Sequence, residues 1–394
     1  MPSAFSEREL PPTARLLSQV LTSLDPRGWR GENATEVVAK GIQSLRSSLF
    51  LAESLPLLWL QRPNEAGAAD PPPPEALETT ISRLQDLLER DAELIGRGVI
   101  PLSVLTPRDP IGHGARLLRI LADGTSIATR RRRRIAKDFG REARGWLEEL
   151  PPYYRRNFHY QTDGYLSERS AELYEHQVEL LFRGGADAMR RMILAPMKAA
   201  FDGGDGRGLR FLELGSGTGS ATRSVARAFP KAKITALDLS TPYTKYAQKQ
   251  LHDFDHVELI QGDAAQLEFG EKRFDAVYSV FLFHELPLPV REQVLDEVRR
   301  VLKPGGFLGF VDSLQRGDDE PLDWALDFFP RDFHEPYYAN YTKNPMERLM
   351  ADAGFESIES GTGYLAKWIS AKVPAASSEA QRPGDRGRPE SAER

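Results

Sequence analysis

The stretch Phe211-Leu-Glu-Leu-Gly-Ser-Gly-Thr-Gly219 decides the fold. An apolar run passes into a glycine-rich turn, and a helical pattern opens behind it. The turn needs glycine because its backbone angles are barred to most side chains. It also needs glycine because a ligand must come close to the main chain, and a side chain at Gly215 or Gly217 would take the ligand's room. Glu213 stands just ahead of the first glycine.

Outward from this turn, strands and helices alternate. Leu209–Leu214 reads as a strand and Ala221–Ala228 as a helix. Lys233–Asp238 is a strand, Tyr243–Leu251 a helix, and Val257–Gln261 and Phe274–Val280 are strands. A helix at Val290–Leu302 and a strand at Phe307–Asp312 follow. This rhythm predicts an α/β fold, a parallel sheet with helices on both faces.

The dinucleotide fingerprint is G-x-G-x-x-G. Here the third glycine comes one residue early, at Gly219, and Ser220 holds the fingerprint position. A doubly negative pyrophosphate would be repelled by Glu213, whereas a ligand carrying an α-amino group and a sulfonium would be drawn to it. The local chemistry therefore favours S-adenosyl-L-methionine over NAD. Asp238 closes the next strand and is placed to accept hydrogen bonds from two ribose hydroxyls. Asp263 follows the third strand, placed for the adenine amino group, with the Ala264 backbone donating to a ring nitrogen. Ser216, Leu239 and Ser279 complete the expected cofactor set.

The run Glu213–Gly219 with Asp238, Gly262-Asp263 and Phe274-Asp275 resembles the class I S-adenosylmethionine-dependent methyltransferases. Val301-Leu-Lys-Pro-Gly-Gly306 and Met350-Ala-Asp-Ala-Gly-Phe355 carry the same likeness. It covers roughly residues 165–372, and the ubiquinone-type, small-molecule branch is the most similar. The resemblance implies a Rossmann-like seven-stranded sheet whose last strand is antiparallel. It also implies the roles just given to Glu213, Asp238 and Asp263, and methylation of a small acceptor on oxygen or carbon.

The fourth strand runs into Ser279-Val-Phe-Leu-Phe-His284-Glu285, next to the departing methyl group in this fold. His284 is the candidate general base, since imidazole titrates near neutral pH, and Glu285 its partner or a substrate ligand. Beyond the fifth strand an insertion rich in aromatics, including Phe333, His334, Tyr337 and Tyr338, is expected to cover the acceptor. Tyr160 and Phe281 are expected to add to that wall. Amino-methylating nucleic-acid enzymes carry an Asn/Asp-Pro-Pro-aromatic signature after the fourth strand, and Ser279-Val-Phe-Leu stands there instead.

The remainder bounds these expectations. The chain has 394 residues, 40% of them hydrophobic, enough for two domains. Residues 1–150 read as a helical accessory region and 151–208 as an aromatic-rich connector or lid. Residues 209–373 read as the cofactor-binding domain and 374–394 as a disordered tail. One helix is predicted over Ile127–Leu150, opened by the five arginines Arg130–Arg134, read as a solvated face rather than an RNA contact. The net charge of -5 gives no pull toward nucleic acid. The lack of cysteine excludes disulfides and thiolate metal sites, and no metal is expected. With no signal-like or membrane-spanning run, a cytoplasmic protein acting on a small molecule is expected, with a homodimer as a compatible assembly. Rival readings are a cofactor-binding assembly module without chemistry, an RNA methyltransferase and an aminopropyl transferase.

Overall fold

The computed structural model describes residues 31–60 and 74–375. The readings of Met1–Leu24 as lacking a signal, of Asn64–Asp70 as a linker, and of the tail beyond Ala375 lie outside the described residues.

Seven strands form one sheet: β1 (Arg210–Leu214), β2 (Lys233–Asp238), β3 (Val257–Gln261), β4 (Phe274–Val280), β5 (Leu302–Ser313), β6 (Glu356–Gly363) and β7 (Ala366–Lys372). Their order is β3-β2-β1-β4-β5-β7-β6. β1 to β5 pair in parallel, and β7 runs antiparallel to both β5 and β6. The Rossmann-like sheet and its reversed last strand are those expected. The strand order reverses between β1 and β4, the point where open α/β sheets bind ligands outside their carboxyl ends.

Alternation along the strands divides the core. Phe211 of β1 and Ile234 of β2 face one layer, with Val225, Ala226 and Phe229 around them. Leu212, Leu214 and Leu237 face the other, against Val294, Leu295 and Val298. The helices supplying these layers are α8 (Ser220–Ala228) and α10 (Leu288–Val301), and α9 (Thr241–Gln250) lies between β2 and β3 in sequence.

Ahead of the sheet come α1 (Ala34–Leu60), α2 (Pro74–Gly96), α3 (His113–Arg133), α4 (Arg141–Arg144), α5 (Glu168–Leu181), α6 (Ala186–Arg191) and α7 (Leu194–Ala200). Leu84, Leu87, Ala92 and Ile95 of α2 are buried in the same cluster as Phe211, Tyr278 and Val311 of the sheet. The N-terminal helices therefore share a core with the sheet. Buried Arg191 of α6 pairs with Asp91 of α2 at 2.7 Å, and Gln43 of α1 donates to the same carboxylate at 2.7 Å.

The helix predicted over Ile127–Leu150 is corrected. α3 ends at Arg133, and Arg134 takes a left-handed cap at φ +52°. The arginines close a helix rather than open one. Four of them sit in the last turn, where positive side chains meet the helix's partial negative end. Phe139, Ala143, Leu150 and Leu166 form a separate small cluster beyond the break. Arg130 is buried, its Nε donating to the Tyr160 carbonyl at 2.9 Å and its guanidinium to Thr162 Oγ1 at 2.5 Å. It anchors the connector from within and is not a free surface charge. Among the described residues no helix is long and apolar enough to cross a membrane.

Candidate functional site

A cleft with a cavity volume of about 100 Å³, partly open to solvent, lies at the carboxyl ends of the strands. Its floor is the glycine turn. Gly215, Gly217 and Gly219 have φ of +69°, +54° and +80°, angles that L side chains rarely adopt. A Cβ at Gly217 would meet nothing within 4 Å, because the turn opens there onto the cleft. At Gly219 a Cβ would come within 2.7 Å of Leu251, so this glycine shapes the turn and does not line the cleft.

Asp238 holds the turn in place. Its Oδ2 accepts from Gly217 N at 2.7 Å and its Oδ1 from Ser240 N at 2.8 Å. Ser240 Oγ caps α9, so Asp238 is not the helix cap and keeps lone pairs for a ligand. Burial pushes its carboxyl up to about 6. Glu213 is almost fully buried and accepts a hydrogen bond from Tyr278 at 2.8 Å. Burial pushes Glu213 up to about 7, against the pull of that hydrogen bond. Asp263 accepts from Ala265 N at 2.9 Å and lines the cleft with Gly262, Ala264 and Leu239. Ser216 Oγ is buried at the floor and has no hydrogen-bond partner. Ser279 instead donates to the Leu214 carbonyl at 3.0 Å, tying β4 to β1 outside the cleft.

The cleft is also lined by aromatics. Tyr153, Tyr154, Tyr165, Tyr174, Tyr243 and Phe281 belong to its wall, and Glu285 lies beside Tyr165. Phe281 has φ +57°, a strained angle for a bulky residue at the end of β4. Tyr165 donates to Glu285, and His159 Nε2 lies 2.9 Å from the Tyr165 hydroxyl. His159 Nδ1 is 2.8 Å from the buried Glu335 carboxylate. Burial opposes the imidazolium, but the Glu335 and Glu285 charges prevail and raise His159 to about 10. Burial holds the Tyr165 phenol well above its usual range, so it remains a donor.

The candidate pair His284–Glu285 is divided. Glu285 lines the cleft and His284 does not. The His284 ring is buried, with Nδ1 2.6 Å from Asp312 at the end of β5. Burial disfavours its charge, but Asp312 outweighs burial and raises His284 to about 9. It therefore carries a proton at neutral pH.

Of the expected acceptor residues, Phe281 reaches the cleft. Phe333 stacks on Phe329 at 4.7 Å, and Tyr160 and His334 pair at 5.6 Å behind it. Tyr337 carries the Arg156 guanidinium over its ring, and buried Tyr338 hydrogen-bonds Ser313 at 2.6 Å. Among the described residues, none of the insertion lines the cleft; Phe329 and Phe333 pack on His159 and Tyr338 on His284 instead. Sequence reasoning missed Tyr174, Glu175 and Arg190, which line the cleft from α5 and α6. Glu175 accepts from Thr218 of the glycine turn and from Ser220 at the start of α8, and pairs with Arg190 at 2.9 Å. The only advance signal for them was the density of charge in α5 and α6.

Residues 211–306 match the family model of a methyltransferase domain. A demethylmenaquinone methyltransferase of Thermotoga maritima is 39% identical over 37% of this chain and 70% of its own length. A fatty-acid O-methyltransferase of Mycolicibacterium smegmatis is 38% identical over 31% of this chain and 43% of its own. A phthiotriol/phenolphthiotriol dimycocerosates methyltransferase of Mycobacterium leprae is 36% identical over 31% and 43%. The chain thus spans less than half the length of the mycobacterial relatives. It belongs to the class I S-adenosylmethionine-dependent methyltransferases.

The residues present fit that family's cofactor. Ser216 offers a buried hydroxyl with no partner, Gly217 leaves its side open, and Glu213 supplies a carboxylate for a cationic ligand. Arg190 is the basic side chain among those lining the cleft.

Proposed function

We propose that this chain methylates a small hydrophobic or aromatic acceptor on oxygen or carbon, using S-adenosylmethionine. One observation carries the reading. A single cleft joins a glycine turn flanked by Glu213, Asp238 and Asp263 to a tyrosine-rich wall with Glu285 set in it. Relatives named for fatty acids and for demethylmenaquinone support an apolar acceptor.

S-adenosylmethionine supplies, when bound, an activated methyl group on a sulfonium. The chain's own residues bind and orient. Asp238 is assigned to ribose hydroxyls, and Asp263 with the Ala264 backbone to adenine. Glu213 and Arg190 are assigned to the charged amino-acid end. Tyr153, Tyr154, Tyr174 and Phe281 exclude water and cover an apolar acceptor, so that alignment does most of the work. Glu285 is the group to take a hydroxyl proton, held by the Tyr165 donor and by the His159 charge beyond it. His284, protonated on Asp312, is assigned to structure.

The test is transfer of labelled methyl from S-adenosylmethionine to a panel of quinols, phenols and fatty acids. Turnover is expected on apolar acceptors, with Glu285→Gln lowering kcat by about 10²–10⁴-fold for a hydroxyl acceptor. Cofactor binding without turnover on any acceptor would reject the enzymatic reading. An unchanged kcat in Glu285→Gln would reject its role.

A further inference from the structure

Away from the cleft, three side chains from three helices converge. Glu53 lies on α1, His113 opens α3 and His176 lies on α5. His113 Nε2 is 2.7 Å from Glu53 Oε1, and His176 Nε2 is 3.1 Å from Glu53 Oε2. One ligand atom from each residue lies within 4.8 Å of the other two. The sequence gives no hint of this, because Glu53 stands 60 and 123 residues from its partners.

We propose that Glu53, His113 and His176 form a binding site for one divalent transition-metal ion of zinc-like character. Imidazole nitrogen and carboxylate oxygen are the donors such ions take, and three protein ligands leave one position of a tetrahedral ion to water. The hard cations calcium and magnesium want mostly oxygen ligands, and one carboxylate does not supply them. The site is enclosed on one side and open on the other. The His176 side chain is 3% exposed and that of His113 26%, so a water ligand has access past His113.

An aromatic side chain flanks the site. Phe50 packs edge-on to His176 at 5.5 Å and tilted on His113 at 5.7 Å, giving an apolar flank. Arg116, one turn beyond His113, is committed to Asp109 through an ion pair and a 2.7 Å bond to its carbonyl. His176 Nδ1 has no hydrogen-bond partner, so outer-shell support for that ligand is absent. Micromolar rather than tighter affinity is therefore expected. Occupancy would pin the N-terminal helices to α5, whose Glu175 holds the glycine turn.

The experiment titrates the full, chelator-treated chain with Co²⁺, followed by visible absorption, and with Zn²⁺ by calorimetry. One equivalent is expected, with the d–d bands of a nitrogen–oxygen site. His113→Ala and Glu53→Gln should each weaken binding at least tenfold. His159→Ala, which alters the acidic cluster beside the cleft, should leave it unchanged. Melting with and without Zn²⁺ guards against a folding defect, since a folded His113→Ala protein should melt cooperatively yet gain nothing from zinc. No saturable binding to the wild type would overturn the proposal and leave Glu53 as a hydrogen-bonding bridge. So would wild-type affinity in His113→Ala, or loss of binding in His159→Ala.

Discussion

At the scale of single residues, the cleft's carboxylates govern how the protein responds to pH. Burial holds Glu213 near 7 and Asp238 near 6, both above an unfolded carboxylate. Each therefore contributes stability that is fully present below the unfolded value and is lost as pH rises through the folded one. The cofactor-free protein should melt at progressively lower temperature between about pH 4 and 7. A cationic ligand favours the ionised carboxylates, so S-adenosylmethionine should bind more tightly over the same window. Melting curves across that range test both, and Glu213→Gln should flatten the slope. Asp238→Ala should weaken S-adenosylmethionine binding by about 1–3 kcal/mol, read by calorimetry, because ribose hydroxyls and two backbone donors lose their acceptor. These residues were legible in the sequence because strand ends place them. The division of labour at His284–Glu285 was not. Asp312, which claims His284, lies 28 residues further along on another strand.

At the scale of elements, the His284–Asp312 pair staples the turn after β4 to the end of β5. Asp312 Oδ2 also accepts from Phe283 N at 2.8 Å, and its Oδ1 from Ser313 N at 2.7 Å. Removing one partner strands a buried charge, so His284→Ala should cost about 3–5 kcal/mol of stability in urea melts. The sign with pH is opposite to a paired acid's. His284 is raised from 6.5 to about 9, so its contribution is full below the lower value and fades as pH climbs through the upper one. Equilibrium unfolding followed from about pH 6.5 to 9 should show that loss in the wild type and not in the variant. The strands and helices of the sheet could be read in advance because alternating burial writes a period into the sequence. The helix over Ile127–Leu150 was misread for a related reason. Apolar residues on either side of Arg134 fall at helical spacing, yet a left-handed cap ends the helix between them, and Phe139, Trp146 and Leu150 pack in a small cluster of their own beyond it.

At the scale of the whole molecule, the N-terminal helices and the sheet are joined where the cofactor turn is supported. Arg46 of α1 reaches Glu179 and Asp187 at 2.6 Å each. Arg190, paired with Asp187 at 2.9 Å, carries the link to Glu175 and from there to Thr218 and Ser220. Apolar spacing predicts a helical region over residues 1–150, but not where its apolar faces go, because a helical stripe does not name its partner. The shared cluster of Leu84, Leu87 and Ile95 with the sheet's Phe211 and Tyr278 settles that destination. A chain starting at Pro151 would expose that face of the sheet and leave Arg191 a buried cation without Asp91. It should therefore aggregate or lack cooperative unfolding. The full chain should melt in one calorimetric transition whose van't Hoff and calorimetric enthalpies agree. Two separate transitions, or a soluble and cooperative fragment from Pro151, would mean that the helices are an accessory domain. Arg46→Ala then distinguishes mere support from coupling. If the ion network positions the glycine turn, this change some distance from the cleft should weaken S-adenosylmethionine binding as well as stability, whereas simple packing would lower stability alone.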